Sequence, residues 1–161
     1  MSGTVRRPAG ISLDLDNQWT YMMTRGDPGW ETYPSYLDLL APRVVGLLSE
    51  FDLQVTFFVV GQDAALEKNR PALRAIADAG HEIGNHSFQH RQWIRCYTAG
   101  EVEQEIACAE RHIEAATGQR PLGEGLDRHL GANNEGYRAA IGVDGDPALQ
   151  RFAAGAQLVT A

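Results

Sequence analysis

The 161-residue sequence predicts an α/β protein built on a parallel sheet, and three observations predict it. Residues 53–60 (LQVTFFVV) form a β-branched and aromatic run bounded by Gly61, the pattern of a strand buried on both faces. Apolar residues at helical spacing recur on either side of it, with recognisable start and stop residues. Strand-like and helix-like stretches alternate along the chain, the order that yields parallel pairing.

The first element, residues 11–17 (ISLDLDN), alternates apolar and polar positions and reads as a short strand with acids at its end. Residues 18–36 are rich in Gly, Pro and aromatics and suit a structured loop. Ser35 and Asp38 then match an S-x-x-D helix start, followed by Leu37, Leu40, Val44, Leu47 and Leu48 at helical spacing; Pro42 should kink this helix or mark its true start. After the 53–60 strand, a second helix runs through Leu73, Ile76 and Ala77 to a stop at Gly80. Residues 81–84 (HEIG) give another short strand. Thr98 and Glu101 form a T-x-x-E capping box for a third helix, with Val102, Ile106, Ala109 and Ile113 on one face and Gly118 as its stop. From residue 123 the chain turns rich in Gly and Ala with no sustained period, leaving an unassigned tail, disordered or aberrant, in which only residues 139–141 and 152–154 suggest short helices.

Composition narrows the function. Hydrophobic residues at 43% and charged residues at 22% are ordinary for a globular domain and exclude collagen-like, coiled-coil and disordered classes. A complete eight-fold β/α barrel is also excluded, since it needs about 250 residues and rarely fewer than 200. Lys and Arg total 14 against 21 Asp and Glu, a formal charge of −7, so no nucleic-acid partner is expected. No membrane span is expected, because the longest apolar run falls far short of about 18 residues. Residues 1–8 (MSGTVRRP) lack the apolar stretch of a secretory signal. Cys96 and Cys108 read as two reduced thiols, with no disulfide framework, in a cytoplasmic protein.

Two residue patterns carry chemistry. Asp14 and Asp16 stand two apart on a predicted strand, so their carboxylates share a face, and like charges so close favour a cation beside them. His86 and His90, four apart on one helix face or one turn-like loop, can converge on one ion. Two imidazoles and one carboxylate make a catalytic set with open positions, leaving the other carboxylate as a base. His81 and His112 read as structural and surface histidines; Trp19, Trp30 and Trp93 read first as packing residues and second as sugar-stacking platforms.

These residues resemble those of the polysaccharide deacetylases (NodB-type, carbohydrate esterase family four). Residues 12–16 (SLDLD) are similar to the family's first motif in a D-x-D variant, and residues 55–61 (VTFFVVG) to its TFFVxG strand. Residues 80–90 (GHEIGNHSFQH) match its second motif, G-H-E-I-G-N-H-[ST]-x-x-H, and residues 117–121 (TGQRP) the stretch before its third. The resemblance implies a partial irregular (β/α) barrel over residues 1–122. It makes Asp14 the general base and Asp16, His86 and His90 ligands of zinc or a related divalent cation. The implied substrate is an N-acetylated carbohydrate or other small amide, whose C–N bond a metal-activated water hydrolyses. The family's R-x-P arginine and later tryptophan-bearing motif find no match after Pro121, and His129, in a sequence with the letters of the last motif (L-x-x-H), comes too early. The chain therefore looks truncated or divergent after about residue 122. The alternative expectation is an inactive fragment that retains at most metal binding, its tail read in a shifted frame. An incomplete barrel exposes strand edges and apolar faces, which predicts self-association.

Overall fold

The computed structural model describes residues 10–121. The expectations for residues 123–161, His129 among them, lie outside that range. Three short strands, β1 (Ser12–Leu15), β2 (Thr56–Val59) and β3 (Glu82–Asn85), form one parallel sheet in the order β1-β2-β3. Helices occupy every connection: α1 (Gln18–Arg25) and α2 (Leu37–Glu50) between β1 and β2, then α3 (Gly61–Ala65) and α4 (Arg70–Asp78) before β3. α5 (Ala99–Thr117) follows β3.

The register sorts the sheet into two faces. Leu13, Phe57 and Ile83 lie on one rung, and Leu15, Val59 and Asn85 on the rung two residues along the same face. Phe57, Val59 and Ile83 join Leu37, Ala41, Leu73, Ile76, Ala109 and Ile113 in a single buried core, so this face takes the helices. The opposite face carries Asp14, Phe58 and Gly84 on one rung. A Cβ on Gly84 would stand 2.4 Å from the Phe58 ring, so glycine is required for that ring to lie across β3.

The helix ends follow the sequence closely where the signal is local. Thr98 Oγ1 accepts the Glu101 N–H and the Glu101 carboxylate accepts the Thr98 N–H, closing the expected capping box; Gly118 ends α5 in the left-handed conformation. Pro42 sits inside α2 without ending it. The Ser35 box does not close: Ser35 Oγ accepts the Leu37 N–H from outside the helix, while Asp38 turns back on the Leu39 N–H.

Residues 18–36 correct the expected loop. Asn17 caps α1, its Oδ1 accepting the Gln18 N–H, and Gly26 stops the helix at φ 73°. A 3-10 turn, Trp30–Thr32, follows. The aromatic and Gly/Pro content hid an ordinary cap-and-stop pair enclosing the eight residues of α1.

α3 lies against α5 so closely that a Cβ on Gly61 would come 2.7 Å from Ala109 Cα and 2.8 Å from the Phe88 ring. Gly61→Ala is therefore expected to destabilise the fold by about 1–3 kcal/mol, as overpacked sites do. A urea midpoint equal to that of the wild type would show that the two helices part freely.

Candidate metal centre

Asp16 and His86 are each the first residue beyond the carboxyl end of an outer strand, β1 and β3. The parallel register, continued by the His86 N–H to Val59 carbonyl bond (3.0 Å), sets them on one rung with buried Val60 between. Their backbones stand two strands, about 10 Å, apart. Their side chains close that gap above the sheet edge.

Asp16 Oδ1 lies 3.4 Å from His86 Nε2 and 3.4 Å from His90 Nε2, and the two Nε2 atoms are 3.1 Å apart. Among the described residues, Asp16, His86 and His90 form the one group of three or more His, Cys, Asp or Glu side chains whose donor atoms converge this way. Ligands bound tetrahedrally at 2.0–2.1 Å stand about 3.4 Å from one another, so the triad fits a divalent cation of zinc's size. Burial pushes the Asp16 carboxyl up, but the hydrogen bond from His86 and the charges of both histidines outweigh it and hold the group below its usual range. The anionic carboxylate is the form in which Asp16 would ligate a cation.

His86 and His90 sit on a turn-like loop, not on a helix. Ser87 and His90 adopt φ values of 59° and 52°, a left-handed conformation that costs a non-glycine residue roughly 1–3 kcal/mol. The surroundings hold it there. Asn85 Oδ1 accepts the Ser87 N–H at 2.9 Å and Ser87 Oγ the His90 N–H at 3.1 Å. The N–H groups of Gly61 and Gln62 donate to the carbonyls of Ser87 and Phe88. From α5, the buried Glu105 carboxylate accepts the N–H of Gln89, and that of Phe88 as well.

Asp16 is held from the other side by residues the sequence reading assigned to a loop. The Tyr21 hydroxyl donates to Asp16 Oδ2 at 3.3 Å, and the Tyr36 hydroxyl donates to the Asp16 carbonyl. Burial, then the charge on Asp16, raise both phenols above their ordinary range, so they remain donors. Beneath them Asp63, 1% exposed, accepts from Asn17 Nδ2 (3.0 Å), Trp19 Nε1 (3.0 Å) and Asn69 Nδ2 (3.3 Å) on a single oxygen. Burial raises its carboxyl against those hydrogen bonds.

Asp14 lies exposed on β1, two residues before Asp16 and outside the converging trio, near enough for its charge to act on Tyr21. His81 is buried with its ring edge-on to Phe57, the structural role expected. His112 is half-buried against Phe88 rather than solvated. Trp19 is a packing residue. Cys96 and Cys108 are both free. No helix among the described residues is long and apolar enough to cross a membrane.

Tyr21, Tyr36, Asp63 and Glu105 escaped the sequence reading. Glu105 had a signal: it falls between Val102 and Ala109 on the apolar stripe of α5, where a carboxylate needs a partner. The tyrosines had none, because their partner Asp16 is reached only when α1 and α2 fold back on β1.

A parallel β/α sheet with an Asp–His–His cluster at the carboxyl ends of its strands defines a class, the α/β proteins whose sites form where strands end. Comparison with known proteins narrows it. The polysaccharide deacetylase family model matches residues 27–124, and the chain belongs to that family. It is 37% identical over 92 residues to a chitooligosaccharide deacetylase of Bradyrhizobium sp., covering 56% of this chain and 38% of the relative. It is similar to a family 4 carbohydrate esterase from Streptomyces lividans solved with acetate (TM-score 0.54, 26% identity, 67% of this chain and 52% of that one). It is also similar to a pseudoenzyme of the same family from Bacillus anthracis (TM-score 0.53, 25% identity, 71% and 33%). The described sheet is thus part of the family's (β/α) barrel fold, and the chain spans well under half the length of the curated relative it matches.

Proposed function

We propose that this chain is a metal-dependent deacetylase that removes N-acetyl groups from an amino-sugar oligomer or polymer. The observation that carries the reading is the convergence of Asp16, His86 and His90 to within 3.4 Å, with Asp14 exposed two residues before Asp16 on the same strand. The relatives' names support the substrate class.

Asp16 Oδ1, His86 Nε2 and His90 Nε2 would hold the cation, for which zinc is our assignment. When bound, it supplies Lewis-acid polarisation of the amide carbonyl and of a water. Asp14, exposed and unclamped, accepts the proton of the attacking water at its carboxylate. Tyr21 keeps Asp16 Oδ2 occupied, so Oδ1 alone faces the histidines. Glu105 and Asn85 keep the His86–His90 loop in its left-handed turns, so the imidazoles stay aimed.

The direct test is acetate release from an N-acetylated chitooligosaccharide by the chain after chelation and refilling with zinc. Stoichiometric metal binding without acetate release would overturn the reading. It would favour the second one, an inactive copy that retains metal binding, which the likeness to a pseudoenzyme and the missing R-x-P arginine support.

Tyr21→Phe deletes only the hydroxyl on Asp16 Oδ2. It is expected to weaken zinc binding about tenfold, the lower end of what outer hydrogen-bond partners contribute. Competition with a chromophoric chelator measures this, and an unchanged dissociation constant would remove Tyr21 from the account.

A further inference from the structure

Arg91 follows His90 directly, so its Cα stands about 3.8 Å from that of a candidate ligand. Its guanidinium carbon lies 5.9 Å from the centroid of the Trp30 ring and 5.5 Å from that of Trp93, a cation in contact with two indoles. Nε donates to Gln89 Oε1 at 3.1 Å. Among the described residues, the two terminal nitrogens have no hydrogen bond and no carboxylate within ion-pair distance. Glu105 feels the Arg91 charge, yet its hydrogen bonds go to the backbone of the histidine loop.

The stack is anchored at one end and open at the other. Trp30 packs on Trp19 at 5.8 Å between centroids, and the Trp19 indole N–H is tied to buried Asp63. Trp93 is half exposed and offers an indole surface beside the cation. A guanidinium fixed in this way has already lost the rotamer freedom that binding would otherwise cost it, and its planar fork matches a carboxylate.

We propose that Arg91 is a specificity-determining residue that receives a carboxylate on, or next to, the acetamido-bearing sugar, with Trp93 as the platform for the ring. This deepens the deacetylase reading and rests on it. The guanidinium geometry selects the ligand. With Nε engaged on Gln89, the terminal fork matches the two oxygens of a single carboxylate carried by the sugar. A purely structural stack joining the two loops would instead treat neutral and anionic sugars alike.

The test uses the zinc-loaded chain and three probes, with tryptophan fluorescence reporting binding and acetate release reporting turnover. The probes are neutral diacetylchitobiose, an N-acetylmuramic acid disaccharide with its carboxylate on the acetamido sugar, and an N-acetylglucosamine–glucuronic acid disaccharide with it on the neighbouring ring. The wild type should bind at least one acidic probe about tenfold more tightly than the neutral one, as a charge-assisted pair provides. Arg91→Gln should erase that ratio, and Arg91→Lys, which keeps charge without the fork, should retain part of it. Equal affinity for all three probes in the wild type, or a preference surviving in Arg91→Gln, overturns the proposal. Binding of an acidic probe with no acetate from any probe leaves this proposal standing and defeats the deacetylase reading. Acetate release with no preference for acid does the reverse.

Discussion

Alanine at His86 or at His90 is expected to weaken binding of one divalent cation by more than about a hundredfold. Loss of an outer partner alone costs 10- to 100-fold, and loss of a direct donor from a three-donor set must exceed it. The geometry makes the case. Three donor atoms lie 3.1–3.4 Å apart, spaced for one cation. The loop that presents two of them is held in left-handed turns at Ser87 and His90 by Asn85 and Glu105. Metal content after chelation and refilling measures the loss, with circular dichroism confirming that each variant is folded. Equal occupancy in the wild type and both variants would sink the site.

Asp14→Asn should separate chemistry from binding. The amide is isosteric and sits on an exposed position of β1, so the fold should not change. It cannot accept a proton at neutral pH, so acetate release is expected to fall by about 10²–10⁴, the range general-base residues supply. Zinc affinity should stay within about threefold, because Asp14 lies outside the converging trio. Loss of zinc along with activity would make Asp14 a ligand or a structural residue. Full activity in the variant would pass the base role to another group.

Legibility followed the range of the interactions. The α5 capping box joins Thr98 to Glu101, three residues away, and needs nothing beyond its own turn. The β2 run and the His86/His90 spacing were equally plain, since both are short patterns with few alternatives. Reading 18–36 as a loop failed for a local reason, because Gly, Pro and aromatic content outweighed the Asn17 cap and Gly26 stop that bound α1. Whether His86 and His90 shared a helix or a turn could not be read from spacing. Glu105 decides it, by accepting loop N–H groups from a helix 16 residues further on.

By itself the sequence determined the candidate donors, the alternation of strand and helix, and the two ends of α5, because each depends on neighbours within a few residues. Only the tertiary structure decided that Asp16 meets His86 across 70 positions of chain. An in-register parallel sheet puts both on one rung with Val60 between. Likewise it decided that two tyrosines from α1 and the start of α2 grip Asp16, and that Arg91 lies over two indoles. Such pairings form when apolar faces close over one core, and residue spacing along the chain does not encode which distant side chains that closure brings together.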